Sequence, residues 1–262
     1  MRTVHLRNIE IGTGMPKVCV PIVGKTFSEI IEQAEKIGSM GADVVEWRVD
    51  CCDFFHDTEQ VEEIMVLIRE ILEDTPILFT FRSEREGGMQ RIEDNDYLEL
   101  LRLAIQGGVA DMIDVEVSHG EEIIDEIIRT AHRAKKMVLI SSHNFKKTPS
   151  VDHMIECLKN MEKKGADIAK LAVMPKEERD VLNLLNATLM AREQLEIPIV
   201  TMSMGGIGTI SRLCGESFGS ALTFGCVGKA SAPGQMELKQ LKDILNQIHR
   251  GITRMEMDQE ER

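Results

Sequence analysis

Several ionisable side chains interrupt or end short apolar runs of the sequence. The most unusual is Lys170, which stands in the middle of the run ADIAKLAV (166–173). Lysine is seldom fully buried unless it is paired, and burial disfavours the ammonium form and lowers the pKa of the amine. A neutral amine of this kind is a nucleophile that attacks a ketone to give an imine. The run therefore predicts either a catalytic lysine or a structural one.

Two structural alternatives for Lys170 stay open at this level. The lysine either forms an ion pair with Asp114 or Glu116, or lies on an edge strand and extends its ammonium group to solvent. A lone histidine is also more often structural than catalytic, but His143 ends the neighbouring run MVLISSH (137–143). Imine chemistry needs a proton shuttle, and histidine titrates in the required pH range. A lysine and a histidine on two neighbouring runs favour a catalytic site.

Further charged and polar candidates lie at strand ends and in the loops that follow them. They are Glu46, Arg48, Arg82 and Glu116 at strand ends, Glu86 in RSEREGG (82–88), Arg212 in GTISRLCG (208–215), and Ser231 with Gln235 in KASAPGQ (229–235). The last loop is rich in small residues and is typical of a mobile lid. Arg48 and Arg82 also allow a plainer interpretation as ion-pair partners of Glu46. The segment CCDFFH (51–56) is followed by no second Cys/His pair, so we expect no metal site there.

Eight apolar, β-branched runs alternate with helical patterns along the chain. The runs are KVCVPI (17–22), DVVEWRV (43–49), ILFTFR (77–82), MIDVEV (112–117), MVLISS (137–142), DIAKLA (167–172), PIVTMS (198–203) and ALTFGC (221–226). Capping boxes are predicted at Thr26–Glu29 and Ser118–Glu121, and the helix over 206–219 is the least clear. Eight such units without a linker predict a single-domain α/β fold over residues 1–262, a closed (β/α)8 TIM barrel. Residues 1–15 are expected to form a hairpin that closes the barrel floor.

A weak internal repeat links three of these runs. ADVVEWRV (42–49), ADMIDVEV (110–117) and ADIAKLAV (166–173) align without gaps. Glu46, Asp114 and Lys170 occupy equivalent positions in the three runs. Because side chains alternate with a period of two along a strand, the repeat predicts that these three project into one layer of the barrel interior. Barrel enzymes carry their catalytic groups at the C-terminal ends of the strands.

The acidic composition limits the partners of the chain. A formal net charge of −13 without a long basic run argues against nucleic acid and against an anionic membrane surface. A few local arginines would still be able to hold an anionic substrate. No apolar run approaches the ~18 residues of a transmembrane helix, and the first residues lack the apolar core of an export signal. We therefore expect a cytoplasmic protein with reduced cysteines.

Seven segments of the sequence resemble the type I 3-dehydroquinate dehydratase family, the Schiff-base enzymes of the shikimate pathway of aromatic amino-acid biosynthesis. The segments are EWRVD (46–50), FTFRSEREGG (79–88), DVEV (114–117), SSHNF (141–145), KLAVMP (170–175), TMSMGG (201–206) and SAPGQ (231–235). They occur in the family's order and extend over most of the barrel. The resemblance implies a lyase that acts on the small molecule 3-dehydroquinate, needs no metal or organic cofactor, and forms a homodimer.

The resemblance also implies a role for each site residue. Lys170 forms an imine with the C3 ketone of the substrate, and the iminium serves as the electron sink. His143 removes a C2 proton and later protonates the departing C1 hydroxyl, a syn elimination that gives 3-dehydroshikimate. Glu86 orients His143, and Arg212 holds the substrate carboxylate. The implied ring contacts are Glu46, Arg48 and Arg82, and the implied lid residues are Ser231 and Gln235.

Two departures from the family pattern and two rival functions accompany this resemblance. Asn144 stands where the family often has aspartate, and Pro21 stands where some members have a serine. The main rival is a class I aldolase, which also forms an imine on a barrel lysine but cleaves a carbon–carbon bond. A non-enzymatic binding module would leave the layered charges and His143 unexplained.

Overall fold

The structure is a computed structural model. It describes residues 3–228 and 230–260, and the side chains of those residues as far as 254. Residues 1 and 2 of the expected floor segment, and Lys229 of the expected lid, lie outside the described residues.

Eight parallel strands form one sheet that curves into a barrel. The strands of the chain are β1 Val4–Leu6, β2 Ile9–Ile11, β3 Lys17–Ile22, β4 Val44–Arg48, β5 Ile77–Thr80, β6 Met112–Glu116, β7 Met137–Asn144, β8 Ile168–Val173, β9 Ile199–Ser203 and β10 Leu222–Phe224. The sheet order is β10-β3-β4-β5-β6-β7-β8-β9. A hydrogen bond of 2.8 Å from the Ala221 amide to the Ile199 carbonyl joins the two ends of this sheet. The predicted (β/α)8 barrel is confirmed.

Helices follow the strands and cover the outside of the barrel. They are α1 Phe27–Ser39, α2 Thr58–Leu72, α3 Asp94–Gln106, α4 Glu121–Arg133, α5 Val151–Lys163, α6 Glu178–Gln194, α7 Gly205–Gly208, α8 Gly215–Phe218 and α9 Leu238–Glu260. The stretch expected as one unclear helix is thus two helices of four residues each, joined by a 3-10 turn.

One of the two predicted capping boxes is present. Thr26 accepts the Glu29 amide and Glu29 reaches back to the Thr26 amide, as the sequence predicted. The second prediction is wrong, because α4 begins one residue after Gly120, whose φ of 85° turns the chain into the helix without a side-chain cap. Ser118 lies instead in a 3-10 turn and donates its hydroxyl to Glu116 at 3.4 Å.

The barrel interior is apolar at its N-terminal end. The antiparallel hairpin of β1 and β2 closes that end, as expected, and buries Val4, Leu6 and Ile11 in the interior. These side chains share one cluster with the first inward residues of the barrel strands, namely Val44, Leu78, Met112, Leu139, Ile168, Val200 and Leu222. Because this layer fills the lower barrel, the polar inward residues are confined to the layers above it.

Candidate active site

Lys170 projects from the middle of β8 into the barrel interior. Strands β7 and β9 flank β8, so the lysine does not lie on an edge strand. Its ammonium nitrogen, on a residue only 4% exposed, lies 3.9 Å from Asp114 Oδ2 and 4.0 Å from Glu46 Oε1. The predicted layer of Glu46, Asp114 and Lys170 is therefore present, although both contacts are too long for hydrogen bonds. The expected ion pair with Asp114 exists only as this loose contact.

Two further groups influence the Lys170 amine. Its nitrogen lies 4.2 Å from the centroid of the Phe224 ring. Burial, followed by the charge of Arg82, lowers the pKa of Lys170, and Glu46 and Asp114 oppose that shift. The balance increases the fraction of neutral amine near neutral pH, which is the form that attacks a carbonyl.

His143 ends β7 beside the lysine strand and is held by Glu86. Glu86 Oε2 lies 2.8 Å from His143 Nδ1 and also accepts the His143 backbone amide at 2.9 Å. The His143 amide donates to Glu86 Oε2, so we assign this oxygen as the acceptor for both nitrogens and place the ring proton on Nδ1. Burial, then the charges of Arg82, Lys170 and Arg48, hold the pKa of His143 well below its usual value. Nε2 is then an unprotonated base.

A tight loop after β5 brings Glu86 to His143. Ser83 pairs with Gln90 across this loop, and a 3-10 turn over Glu84–Glu86 lies between them. A Cβ at Gly88 would lie 1.6 Å from the Arg82 carbonyl oxygen, so only glycine fits that position. Glu86 itself is 4% exposed, and burial raises its pKa to about 8, against the nearby charge of Arg82.

Arg82 binds the buried carboxylates of β6. Its Nη2 donates to Asp114 at 2.7 Å, and its Nη1 donates to Glu116 at 2.8 Å and to Ser141 at 2.9 Å. Although burial opposes the shift, Arg82 together with His119 and Ser83 lowers the pKa of Glu116 to about 2. The plainer interpretation of Arg82 as a partner of Glu46 is therefore replaced by pairing with Asp114 and Glu116.

Arg48 and Glu46 lie on β4, on the other side of the pocket. Arg48 makes two hydrogen bonds of 2.8 Å to the carboxylate of Asp50, so Glu46 is not its hydrogen-bonded partner either. Glu46 accepts the Thr80 hydroxyl at 3.1 Å. The oxygen that accepts this hydroxyl, Oε1, is also the one that lies 4.0 Å from Lys170 Nζ.

Arg212 is a buried guanidinium that no carboxylate of the described residues neutralises. It is 2% exposed, and its polar contacts are the Pro233 carbonyl at 3.0 Å and the Met202 sulfur at 3.7 Å. Within residues 3–228 and 230–254, Arg212 forms no ion pair, and its Nε has no hydrogen-bond partner. Burial lowers its pKa to about 10. An uncompensated buried cation is costly, so this arrangement is suited to an anionic ligand.

The loop expected to act as a lid lies over the pocket. The Ser231 amide donates to Gln235 Oε1 at 2.7 Å, and Gln235 Nε2 donates back to the Ser231 hydroxyl at 2.8 Å. The Pro233 carbonyl accepts the Gly205 amide at 3.2 Å as well as Arg212. The lid loop therefore contacts the guanidinium of Arg212, for which the described residues supply no ion-pair partner.

All nine residues to which the resemblance assigns a role line one pocket that opens at the C-terminal ends of the strands. They are Glu46, Arg48, Arg82, Glu86, His143, Lys170, Arg212, Ser231 and Gln235. Seven further residues complete the wall, namely Gly87, Phe145, Ala172, Met202, Met204, Phe224 and Ala232. The apolar segment ALTFGC gave no signal that Phe224 would face Lys170.

Asn144, the departure next to His143, has a local structural role. Its side-chain oxygen accepts the amides of Lys146 and Lys147, each at 3.0 Å. Asparagine and aspartate both supply the oxygen that this turn requires. The substitution therefore removes a charge without removing the turn.

A buried lysine and a carboxylate-held histidine at the C-terminal mouth of a (β/α)8 barrel define a barrel enzyme. Comparison with known proteins identifies the family. The model of the type I 3-dehydroquinase family matches residues 18–252. The 3-dehydroquinate dehydratase of Clostridioides difficile (strain 630) is 46% identical over 252 residues, which are 96% of this chain and 99% of the relative. The enzyme of the same name from Listeria welshimeri is 46% identical over 250 residues, 95% of this chain and 99% of the relative.

Solved structures agree with this assignment. The type I 3-dehydroquinate dehydratase from Clostridium difficile with covalently modified comenic acid superimposes with a TM-score of 0.93 at 45% identity, over 95% of this chain and 99% of the other. The 3-dehydroquinate dehydratase from Geobacillus kaustophilus HTA426 gives a TM-score of 0.93 at 38% identity, over 95% and 97% of the two chains. This chain belongs to the type I 3-dehydroquinase family and is a hydro-lyase. Among the described residues, no helix has the length and apolarity needed to cross a membrane.

The raised pKa of Glu86 predicts a pH-dependent stability difference. Between its ordinary value of 4.5 and its folded value of about 8, the native state holds a proton on Glu86 that the unfolded chain has lost. Stability therefore falls as the pH rises through this window. Glu86→Gln does not titrate, and its amide oxygen can accept both His143 donors. We expect the free energy of unfolding of the variant, relative to the unsubstituted protein, to increase from about pH 5 to about pH 8.

Urea unfolding at the two pH values measures this difference. Glu84→Gln is the matched control, because Glu84 is an exposed carboxylate of the same turn. A relative stability of Glu86→Gln that is constant over the pH range would contradict a raised pKa at Glu86.

Proposed function

We propose that this enzyme converts 3-dehydroquinate to 3-dehydroshikimate by a syn dehydration through an imine on Lys170. The observation that carries the proposal is the placement of three groups in one pocket. Among the described residues, they are a buried amine without a short ion pair, an imidazole held by Glu86, and a buried guanidinium that forms no ion pair. A substrate with a ketone, an acidic carbon beside it and a carboxylate fits these three groups. Membership of the 3-dehydroquinase family supports this substrate.

Imine formation begins with the neutral Lys170 amine. Nζ attacks the C3 ketone, the carbinolamine loses water, and a protonated imine forms. Asp114 and Glu46, each about 4 Å from Nζ, then stabilise the cationic iminium through a low-dielectric interior. Because the iminium accepts the electron pair of the adjacent C–H bond, the reaction requires no metal or organic cofactor.

Proton transfer falls to His143. With Nδ1 held by Glu86, Nε2 takes a C2 proton and leaves an enamine. The imidazolium then protonates the C1 hydroxyl, which departs as water from the face from which the proton came. Hydrolysis of the remaining imine releases the product and regenerates the Lys170 amine.

The other pocket residues would orient the ring. Arg212 offers Nε and its terminal nitrogens to the substrate carboxylate, a geometry that suits a bidentate pair. Glu46 and Arg48 would contact ring hydroxyls, and Ser231 with Gln235 would cover the ring. Arg82 is proposed for the same contacts, although its terminal nitrogens already bind Asp114 and Glu116.

The reaction would serve the shikimate pathway, as the family resemblance implies. A class I aldolase is the rival reaction, since it also uses a barrel lysine. The two differ in product, because dehydration creates an enone and aldol cleavage does not. Appearance of enone absorbance in the ultraviolet on addition of 3-dehydroquinate supports the dehydratase, and binding without turnover would support a binding module.

We also propose that the chain forms a homodimer, as the resemblance implies. Leu182 and Leu189 of α6 are 56% and 38% exposed, and Ile207 and Ile210 in the adjoining segment are 46% and 52% exposed. Exposed apolar residues grouped in this way mark contact surfaces. Light scattering should give twice the 29.5 kDa of one chain. Leu182→Lys should weaken the dimer. Met40→Lys is the control, because Met40 is an exposed apolar residue at the end of α1, and it should leave the dimer unchanged. A monomer at every concentration would refute the proposal.

Lys170 is predicted to carry the covalent intermediate. Borohydride added during turnover should reduce the imine and leave a permanent adduct on Lys170, found by peptide mass spectrometry. Lys170→Ala should lower kcat by at least about 10³-fold with the fold retained, because the lysine makes no short ion pair. Lys163→Ala, at an exposed lysine of α5, is the control. An absent adduct, or a collapsed fold in Lys170→Ala, would favour a structural lysine.

His143 is predicted to act after the imine has formed. His143→Ala should still give the borohydride adduct on Lys170, while kcat falls by roughly 10²- to 10⁴-fold because the general base and acid is missing. His153→Ala changes an exposed histidine and should leave both readouts unchanged. Full activity of His143→Ala would exclude His143 from the mechanism.

A further inference from the structure

Asp50 is a buried carboxylate that the proposed reaction does not use. It lies in the 3-10 turn Val49–Cys51, directly after β4, and its side chain is inaccessible to solvent. It does not line the pocket, so it would not touch a bound substrate. A buried carboxylate lowers the stability of the folded protein unless its oxygens accept hydrogen bonds or pair with a cation. Its partners therefore indicate what it does.

Each Asp50 oxygen accepts one side-chain donor and one backbone donor. Oδ1 accepts Arg48 Nε at 2.8 Å and the Arg82 amide at 3.1 Å. Oδ2 accepts Arg48 Nη2 at 2.8 Å and the Met89 amide at 3.1 Å. Two of these four hydrogen bonds come from the guanidinium of Arg48, and the other two come from the two ends of the loop 82–89.

The two amides enclose the segment that carries Glu86. The Arg82 amide precedes the 3-10 turn Glu84–Glu86, and the Met89 amide follows it. Gly88 cannot carry a Cβ there, so the loop has little freedom to find another path. Asp50 thus fixes the entrance and the exit of the loop at the same carboxylate that orients Arg48.

We propose that Asp50 is a positioning residue. It holds Arg48 and the loop that carries Glu86 in fixed positions relative to each other, and through Glu86 it also positions His143. The roles of Arg48 and Glu86 in this statement rest on the proposed function. Through Arg48, Asp50 acts on substrate binding. Through the loop 82–89, it acts on the tautomer and orientation of His143, and therefore on proton transfer. Lys170 makes no direct contact with Asp50, Arg48 or Glu86, and its ion-pair contacts are with Glu46 and Asp114.

Asp50→Asn tests this proposal with little change in volume. In either orientation of the amide, an NH₂ group faces one guanidinium nitrogen and one backbone amide, so Arg48 and one end of the loop lose their acceptor together. We expect KM to rise and kcat to fall by about tenfold to a hundredfold each. The borohydride adduct on Lys170 should form to the same extent as in the unsubstituted protein. The pH profile of kcat should also change, because His143 is less firmly held by Glu86.

Hydrogen exchange supplies a readout that needs no substrate. The amides of Arg82 and Met89 should exchange faster in Asp50→Asn, and they should not change in Asp53→Asn, a matched substitution at an exposed aspartate of the same segment. If the unsubstituted protein does not dehydrate 3-dehydroquinate, the proposed function fails. Hydrogen exchange then still tests whether Asp50 holds the two ends of the loop.

Two results would overturn the proposal. One is a folded Asp50→Asn with kcat, KM and amide exchange within about twofold of the unsubstituted protein. The other is a proportional loss of adduct formation and turnover, which indicates only a smaller folded fraction. If Asp50→Asn does not fold, Asp50→Glu, which keeps the charge and moves it by one methylene, is judged by the same criteria.

Discussion

Arg82 is the cation on which the upper half of the barrel depends. Its guanidinium binds Asp114 and Glu116 at 2.7 and 2.8 Å and lies 3.7 Å from Glu86. Buried carboxylates at this density would repel one another and take up protons unless a cation lay among them. Because Arg82 meets this need, Lys170 is not drawn into a short ion pair with Asp114. The amine is left with two loose carboxylate contacts, enough to stabilise a cationic intermediate and too weak to overcome the effect of burial on its pKa.

The apolar floor of the barrel keeps this charged layer buried. Hairpin residues such as Leu6 and Ile11 fill the N-terminal end of the barrel, so a packed apolar layer lies below Lys170. Low dielectric strengthens every electrostatic contact above that floor. The same burial acts in opposite directions on the two bases and on Glu86: it lowers the pKa of Lys170 and of His143 and raises that of Glu86. One physical cause therefore favours a neutral nucleophile, a neutral base and a protonated carboxyl in the same pocket.

Much of this arrangement could be predicted from the sequence, because a period of two along a strand determines which side chains point inward. The gapless repeat placed Glu46, Asp114 and Lys170 at one height, and their distances in the structure agree. Ion-pair partners were harder to predict. The strands of a barrel are staggered, so two side chains form an ion pair only if they lie at the same level along the barrel axis, whatever their positions in the chain. Arg82 therefore binds Asp114 and Glu116 instead of Glu46. The prediction of a helix cap at Ser118 was wrong for a local reason, because the chain turns into the helix at Gly120.

Arg212 has no carboxylate partner among the described residues, and this could not be predicted from the sequence either, since it depends on every neighbour that the fold brings near. A guanidinium that is 2% exposed and unpaired is less stable than one in water. In the proposed complex the substrate carboxylate supplies the missing charge, so ligand binding would relieve a cost already present in the folded protein. The Pro233 carbonyl of the lid contacts the same guanidinium at 3.0 Å. Substrate anchoring and lid position are therefore linked through one side chain, and a change at Arg212 acts on both.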